Sequence, residues 1–177
     1  MAKITVLGAG AWGTALAMQA HYAGNEVVLW AYLEEEKKEI EQFGENKSRL
    51  PGVTIAPDIS VTCDLKKAAN ADILLVVTPA QVIREFLEKL APSLKSDVTL
   101  VFCSKGIEVA TGALISEICA EVIPGIEIAI LSGPNFAKEI AVGAPGAASI
   151  AAQTLEKATQ LAGTLSSPTL RIYPNDD

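Results

Sequence analysis

The stretch Ile4-Thr-Val-Leu-Gly-Ala-Gly-Ala-Trp-Gly-Thr-Ala-Leu-Ala17 decides how the rest of the chain is read. An apolar run over 4–7 meets Gly8, Gly10 and Gly13, spaced G-x-G-x-x-G, and a helix-forming run over 14–23 follows. Each glycine has its own task. Gly8 turns the chain sharply out of a strand. Gly10 has no Cβ, so a pyrophosphate can approach the backbone. Gly13 lets the helix pack closely on the strand. The helix start then presents unpaired N–H groups and the positive end of its dipole. The glycine spacing alone is weak, because glycines are common in turns; the strand–turn–helix setting is what points to a dinucleotide. The competing reading is a glycine turn with no ligand.

Working outward, strand and helix alternate. Lys3–Leu7 reads as a strand, 11–23 as a helix stopped at Gly24-Asn25, and Glu26–Trp30 as the second strand. Residues 32–43 read as a charged surface helix ended by Gly44, and 46–52 as a loop. A short strand over 60–63 precedes a helix over 65–70 capped by Asp64. The apolar run 72–79, stopped by Pro79, has the character of a strand covered on both faces. A helix over 80–90 carries the stripe Val82, Ile83, Phe86, Leu87 and Leu90. Strands are expected over 98–103, 127–131, 147–152 and 169–173, with helices over 112–122, up to 142, and over 154–165. After the last strand come Asn175, Asp176 and Asp177. This alternation predicts one α/β domain with an open, doubly wound, mostly parallel sheet and helices on both faces.

Half of the 177 residues are hydrophobic, which argues against disorder. The net charge of −7 argues against nucleic acid as a partner, since phosphate neutralisation needs clustered Lys and Arg. Cys63, Cys103 and Cys119 are odd in number and lack C-x-x-C spacing, so reduced thiols are expected rather than disulfides or zinc. His21 is the only histidine and is expected to face solvent late in the first helix. No apolar run reaches the length of a membrane span. The first residues lack the pattern of a secretory leader and are expected to belong to the fold.

Open parallel sheets bind ligands at the carboxyl ends of their strands. Four strand exits carry unusual residues: the glycine turn, Thr78-Pro79-Ala80-Gln81, Ser104-Lys105-Gly106 and Ser132-Gly133-Pro134-Asn135. Lys105 follows an apolar strand and precedes glycine. Its ammonium is suited to bind a phosphate or to polarise a carbonyl oxygen. Gly133 offers a close backbone approach and Asn135 a side-chain amide. The end of the second strand reads Trp30-Ala-Tyr32-Leu, with no aspartate, and Glu34 comes late. Those positions leave NAD or NADP open, and Tyr32 either stacks on adenine or covers the sheet edge.

Four segments, Gly8-Ala-Gly-Ala-Trp-Gly-Thr-Ala15, Asn46-Lys-Ser-Arg-Leu-Pro-Gly52, Lys105-Gly-Ile-Glu108 and Ser132-Gly-Pro-Asn-Phe-Ala-Lys-Glu139, resemble bacterial NAD(P)-dependent sn-glycerol-3-phosphate dehydrogenases. The likeness runs through the whole chain in the same order. It implies a Rossmann-type domain, NAD or NADP as cofactor, and reversible reduction of dihydroxyacetone phosphate to sn-glycerol 3-phosphate for phospholipid synthesis in the cytoplasm. By the same resemblance Ala11, Trp12, Tyr32 and Ala137 contact the cofactor beside the three glycines. Lys105 touches both cofactor and substrate, while Gly133 and Asn135 line the substrate site. Three positions depart from the family's habit: serine is usual for Asn135, a basic residue is frequent for Tyr32, and threonine is common for Gly146. The family continues into a helical C-terminal domain carrying the lysine that acts as general acid and base. The resemblance therefore puts that lysine beyond Asp177. Residues 1–177 look like the cofactor-binding half, with no catalytic acid–base of their own and a possible homodimer at full length. Two other readings stay open: a related hydroxy-acid or sugar-acid dehydrogenase, and a free-standing nucleotide-binding module.

Overall fold

The computed structural model describes residues 1–176. Asp177, the residue beyond which the resemblance puts the acid–base lysine, lies outside the described residues. Eight strands form one sheet in the order β3-β2-β1-β4-β5-β6-β7-β8. They are β1 (Lys3–Leu7), β2 (Glu26–Trp30), β3 (Ser60–Thr62), β4 (Ile73–Val76), β5 (Thr99–Phe102), β6 (Glu127–Ser132), β7 (Gly146–Ala152) and β8 (Leu170–Asn175). Every pairing is parallel except β6 with β7. That exception follows from the short excursion between them: α6 (Ala137–Ala141) and one turn bring the chain straight back alongside β6.

The order of the strands explains where a ligand fits. From β1 the chain winds outward through β2 and β3, then returns to the other flank of β1 as β4. A crevice opens at such a reversal, outside the carboxyl ends of the strands. Here it lies beyond Leu7 of β1 and Val76 of β4, which are register partners.

The strand side chains alternate between two cores. Ile4 and Val6 face one, shared with α1 (Ala11–Tyr22), α2 (Glu34–Phe43), α6 and α7 (Leu155–Leu165). Leu7, Leu74, Val76, Leu100 and Phe102 face the other, shared with α3 (Leu65–Ala68), α4 (Ile83–Leu90) and α5 (Ile115–Val122). Helices thus cover both faces, as the alternation predicts. Helix α1 is buried continuously from Gly13 to Ala20. Its small residues (Gly13, Ala15, Ala17, Ala20) let it lie between the sheet and α6. The one amide in that run is satisfied: Gln19 donates to the Ile140 carbonyl and accepts from the Ser167 hydroxyl.

Several boundaries move for local reasons. The helix expected from 112 starts only at Ile115, because 108–113 close into a turn: Gly112 N donates to Glu108 O (2.8 Å) and Glu108 N to Ala113 O (3.0 Å). The helix expected from 80 opens with a single 3-10 turn over Ala80–Val82 before α4. The last strand runs on to Asn175. Asp64 caps α3 as expected, accepting from Lys66 N and Lys67 N, and Gly44 ends α2 with a φ of 62°. His21, expected to face solvent, is half-buried beside the Tyr22 ring. All three cysteines are free thiols, and burial pushes that of Cys119 up to about 11. Among the described residues no helix is long and apolar enough to cross a membrane, and no group of His, Cys, Asp or Glu is arranged to hold a metal.

Candidate cofactor and substrate site

The site begins at the glycine turn. Gly8 has a φ of 130°, and its N–H donates to Trp30 O at 3.1 Å, so the turn starts while still tied to β2. A Cβ on Gly13 would overlap the Gly8 carbonyl oxygen and stand 3.0 Å from its carbon. Gly13 is therefore what allows α1 to start directly behind β1. Gly10 differs from both: a Cβ there meets nothing within 4 Å. Its own side is open space. Gly10 is also the residue before α1, with extended backbone and no side chain to cap the helix. The N–H groups of Ala11, Trp12 and Gly13 consequently have no partner among the described residues; the first bond of the helix is Thr14 N to Gly10 O, 2.9 Å. Open space, free donors and a positive helix end, with no acidic residue in the first turn, together suit a diphosphate.

Two cavities flank this turn. The larger, about 660 Å³, runs from Gly8 and Gly10 past Trp30 and Tyr32 to α4. Such a volume is typical of small-molecule sites. The smaller, about 420 Å³, lies between Ala11-Trp12, Lys105 and the loop Ser132–Ala137. They share one wall, Val77-Thr78-Pro79 at the end of β4. The Thr78 hydroxyl is buried there without a partner among the described residues. Of the residues singled out in the sequence, Gly8, Gly10 and Tyr32 line the larger cavity. Ala11, Trp12, Lys105, Gly133, Asn135 and Ala137 line the smaller. Gly13 lines neither; its place is in the packing. Tyr32 is 74% exposed, with its ring in a T-shaped contact with Trp30, and it rims the cavity.

Lys105 lies exposed on a loop that is held from three sides. Its Nζ donates to Gly133 O at 3.3 Å, which joins the ends of β5 and β6. Before it, the Ser104 hydroxyl donates to the Thr78 carbonyl, which joins the ends of β5 and β4. After it, Gln81 donates to Ile107 O (2.8 Å) and accepts from Val109 N (3.0 Å). Glu108 is then gripped by Arg84, with Nη2 to Oε2 at 2.9 Å, and by the Thr111 hydroxyl at 2.6 Å. The Arg84 hydrogen bonds, seconded by Thr111, hold the Glu108 carboxyl below the usual range. The loop thus presents an ammonium on a fixed backbone, the arrangement that electrostatic stabilisation of a charged group requires.

Two of the departures noted in the sequence prove to be neighbours. The Asn135 amide donates to Ala147 O at 2.7 Å. Its side chain passes between Gly133 and Gly146: a Cβ on Gly133 would stand 2.7 Å from Asn135 Nδ2, and one on Gly146 2.9 Å from Oδ1. An asparagine fits at 135 because residue 146 has no side chain.

Residues to which the sequence reading gave no role of their own also shape the site. Asn46, fully buried, donates to Ala9 O (2.7 Å) and to the Thr14 hydroxyl (3.0 Å), and so ties the glycine turn to the loop after α2. Glu36 and Arg49 meet in the larger cavity, and Gln81 and Arg84 clamp the lysine loop. Asn46 and Arg49 stand in a segment that the sequence singled out only as a loop with a familiar pattern.

Comparison with known proteins agrees with this geometry. Residues 3–158 match the family described as NAD-dependent glycerol-3-phosphate dehydrogenase N-terminus. Glycerol-3-phosphate dehydrogenase [NAD(P)+] of Parvibaculum lavamentivorans is 45% identical over 175 residues, covering 99% of this chain and 53% of that protein. The Bradyrhizobium diazoefficiens protein of the same name is 47% identical with the same coverage. The crystal structure of glycerol-3-phosphate dehydrogenase from Coxiella burnetii superposes with a TM-score of 0.92 at 30% identity, over 99% of this chain and 54% of that one. The chain thus spans about half the length of the relatives it matches. Matched over residues 3–158, this chain belongs to the family of NAD-dependent glycerol-3-phosphate dehydrogenase N-termini.

Proposed function

We propose that residues 1–177 are the cofactor-binding half of an enzyme that interconverts dihydroxyacetone phosphate and sn-glycerol 3-phosphate. The observation that carries this reading is the pair of cavities that flank the glycine turn and share the wall Val77-Thr78-Pro79, with open space beside Gly10. The bound dinucleotide supplies the hydride chemistry. The chain's own part is to bind and orient. The N–H groups of Ala11 and Trp12 hold the diphosphate. The larger cavity takes the adenosine end beside Tyr32. The smaller takes the nicotinamide end between Trp12 and Ala137. Lys105, Gly133 and Asn135 line the substrate side, where the Lys105 ammonium attracts a phosphorylated triose and stabilises charge on its carbonyl oxygen.

The general acid–base lysine belongs, in this reading, beyond Asp177, in the part of the relatives' length that these residues do not cover and in a helical second domain. A cytoplasmic location and a homodimer of the longer protein complete the proposal. The test is direct. Purified residues 1–177 bind NADH in a calorimetric titration, Lys105→Met weakens that binding about tenfold, and neither protein turns over dihydroxyacetone phosphate. Turnover by residues 1–177 alone, or no cofactor binding at all, refutes the proposal.

A further inference from the structure

The geometry points to Glu36 as the group that makes the larger cavity select NAD over NADP, a selection that rests on the cofactor reading given above. The two dinucleotides differ only by a phosphate on the adenosine ribose. A site for the bare hydroxyls needs an acceptor, preferably a carboxylate; a site for the phosphate needs a cation free to meet it.

The end of β2, where that group usually stands, carries Tyr32 and Leu33, neither of them charged. The carboxylate comes instead from the first turn of α2. Glu36 lines the cavity, and its side chain is only 12% exposed. Arg49 reaches it from the loop after α2, with Nε and Nη2 each 3.0 Å from Oε1. Oε2 has no hydrogen-bond partner among the described residues, which leaves it able to accept from the ribose hydroxyls.

The cavity's other charges are Lys89 and Glu85, paired at 2.6 Å. Both cations on this wall are therefore already neutralised, each by its own carboxylate. Glu34 and Glu35 add two more negative charges to the turn that carries Glu36 and meet the positive end of α2. A ribose phosphate would bring roughly another one and a half to two negative charges beside Glu36. Arg49 would be left to offer it only the donors that Glu36 does not use, and its charge is already balanced by that carboxylate.

The experiment is a calorimetric titration of the 177-residue chain with NADH and with NADPH. The expected result is at least tenfold tighter binding of NADH. Glu36→Gln removes the charge and releases Arg49, so the preference moves toward NADPH by at least tenfold. Arg49→Gln leaves Glu36 unpaired and moves it further toward NADH. Circular dichroism confirms that each variant is folded; if one is not, the wild-type ratio still decides. Equal affinity for the two nucleotides, or an unchanged ratio in folded Glu36→Gln, overturns the selection and leaves the cofactor reading standing. Failure of both nucleotides to bind overturns the cofactor reading, and the selection falls with it.

Discussion

Replacing Asn46 by alanine tests whether the glycine turn is held in shape from outside itself. Asn46 is fully buried and spends its two amide hydrogens on Ala9 O and Thr14 Oγ1, at 2.7 and 3.0 Å. Ala9 and Thr14 are themselves 2% and 1% exposed, so water cannot take over either bond. Asn46→Ala thus orphans two buried polar groups, each costing about 1–3 kcal/mol. The surrounding backbone relaxes in part, and a net loss of about 2–4 kcal/mol is expected. With a urea slope of about 2 kcal/mol per molar for a chain of this size, the midpoint falls by roughly 1–2 M. The slope itself should not change. Asn46→Asp keeps the acceptor for Arg49 N but turns a carboxylate oxygen toward the Ala9 carbonyl, so it costs at least as much. Both variants should also bind NADH about tenfold more weakly, because the turn is no longer tied at Ala9. A midpoint within about 0.2 M of wild type would show that the turn holds its own shape and that this tether contributes nothing.

The glycines divide the same way. Gly13→Ala drives a methyl into the Gly8 carbonyl and should destabilise the fold by about 1–3 kcal/mol or more. Gly10→Ala meets open space at an ordinary φ of −69°, so it should leave stability within about 0.5 kcal/mol while weakening NADH at least tenfold; equal effects of the two on stability would contradict the division of labour. Glu108 makes stability depend on acid. Its carboxyl is held below the ordinary glutamate value, chiefly by Arg84. Its stabilising contribution is therefore complete above a pH of about 4.3 and is lost as the pH falls through the lowered folded value. Urea midpoints of wild type and Arg84→Met from pH 7 to pH 3 should differ in their acid limbs, and superimposable limbs would contradict this account.

The parts of the site that were legible in the sequence are those in which function is written locally. Gly8, Gly10 and Gly13 stand within six residues of one another in a single strand–turn–helix, and Lys105 follows closely on an apolar strand, so spacing alone gives their places. Strand alternation likewise gives both faces of the sheet. The tethers could not be read that way. Asn46 reaches Ala9 across 37 residues and Arg84 reaches Glu108 across 24, and no periodicity encodes such side-chain pairings. The antiparallel β7 was also hidden, because a small-residue strand looks the same in either direction. The match between Asn135 and Gly146 emerged only once β6 and β7 were side by side.

The central claim is that the start of α1 receives a dinucleotide's diphosphate. Its most direct measurement is a two-dimensional amide NMR titration of residues 1–177 with NADH. The account predicts that the Gly10, Ala11 and Trp12 amides shift most, saturating together with those of Tyr32 and Lys105 at the two cavities. Saturable binding that leaves the Gly10–Trp12 amides unmoved would contradict it.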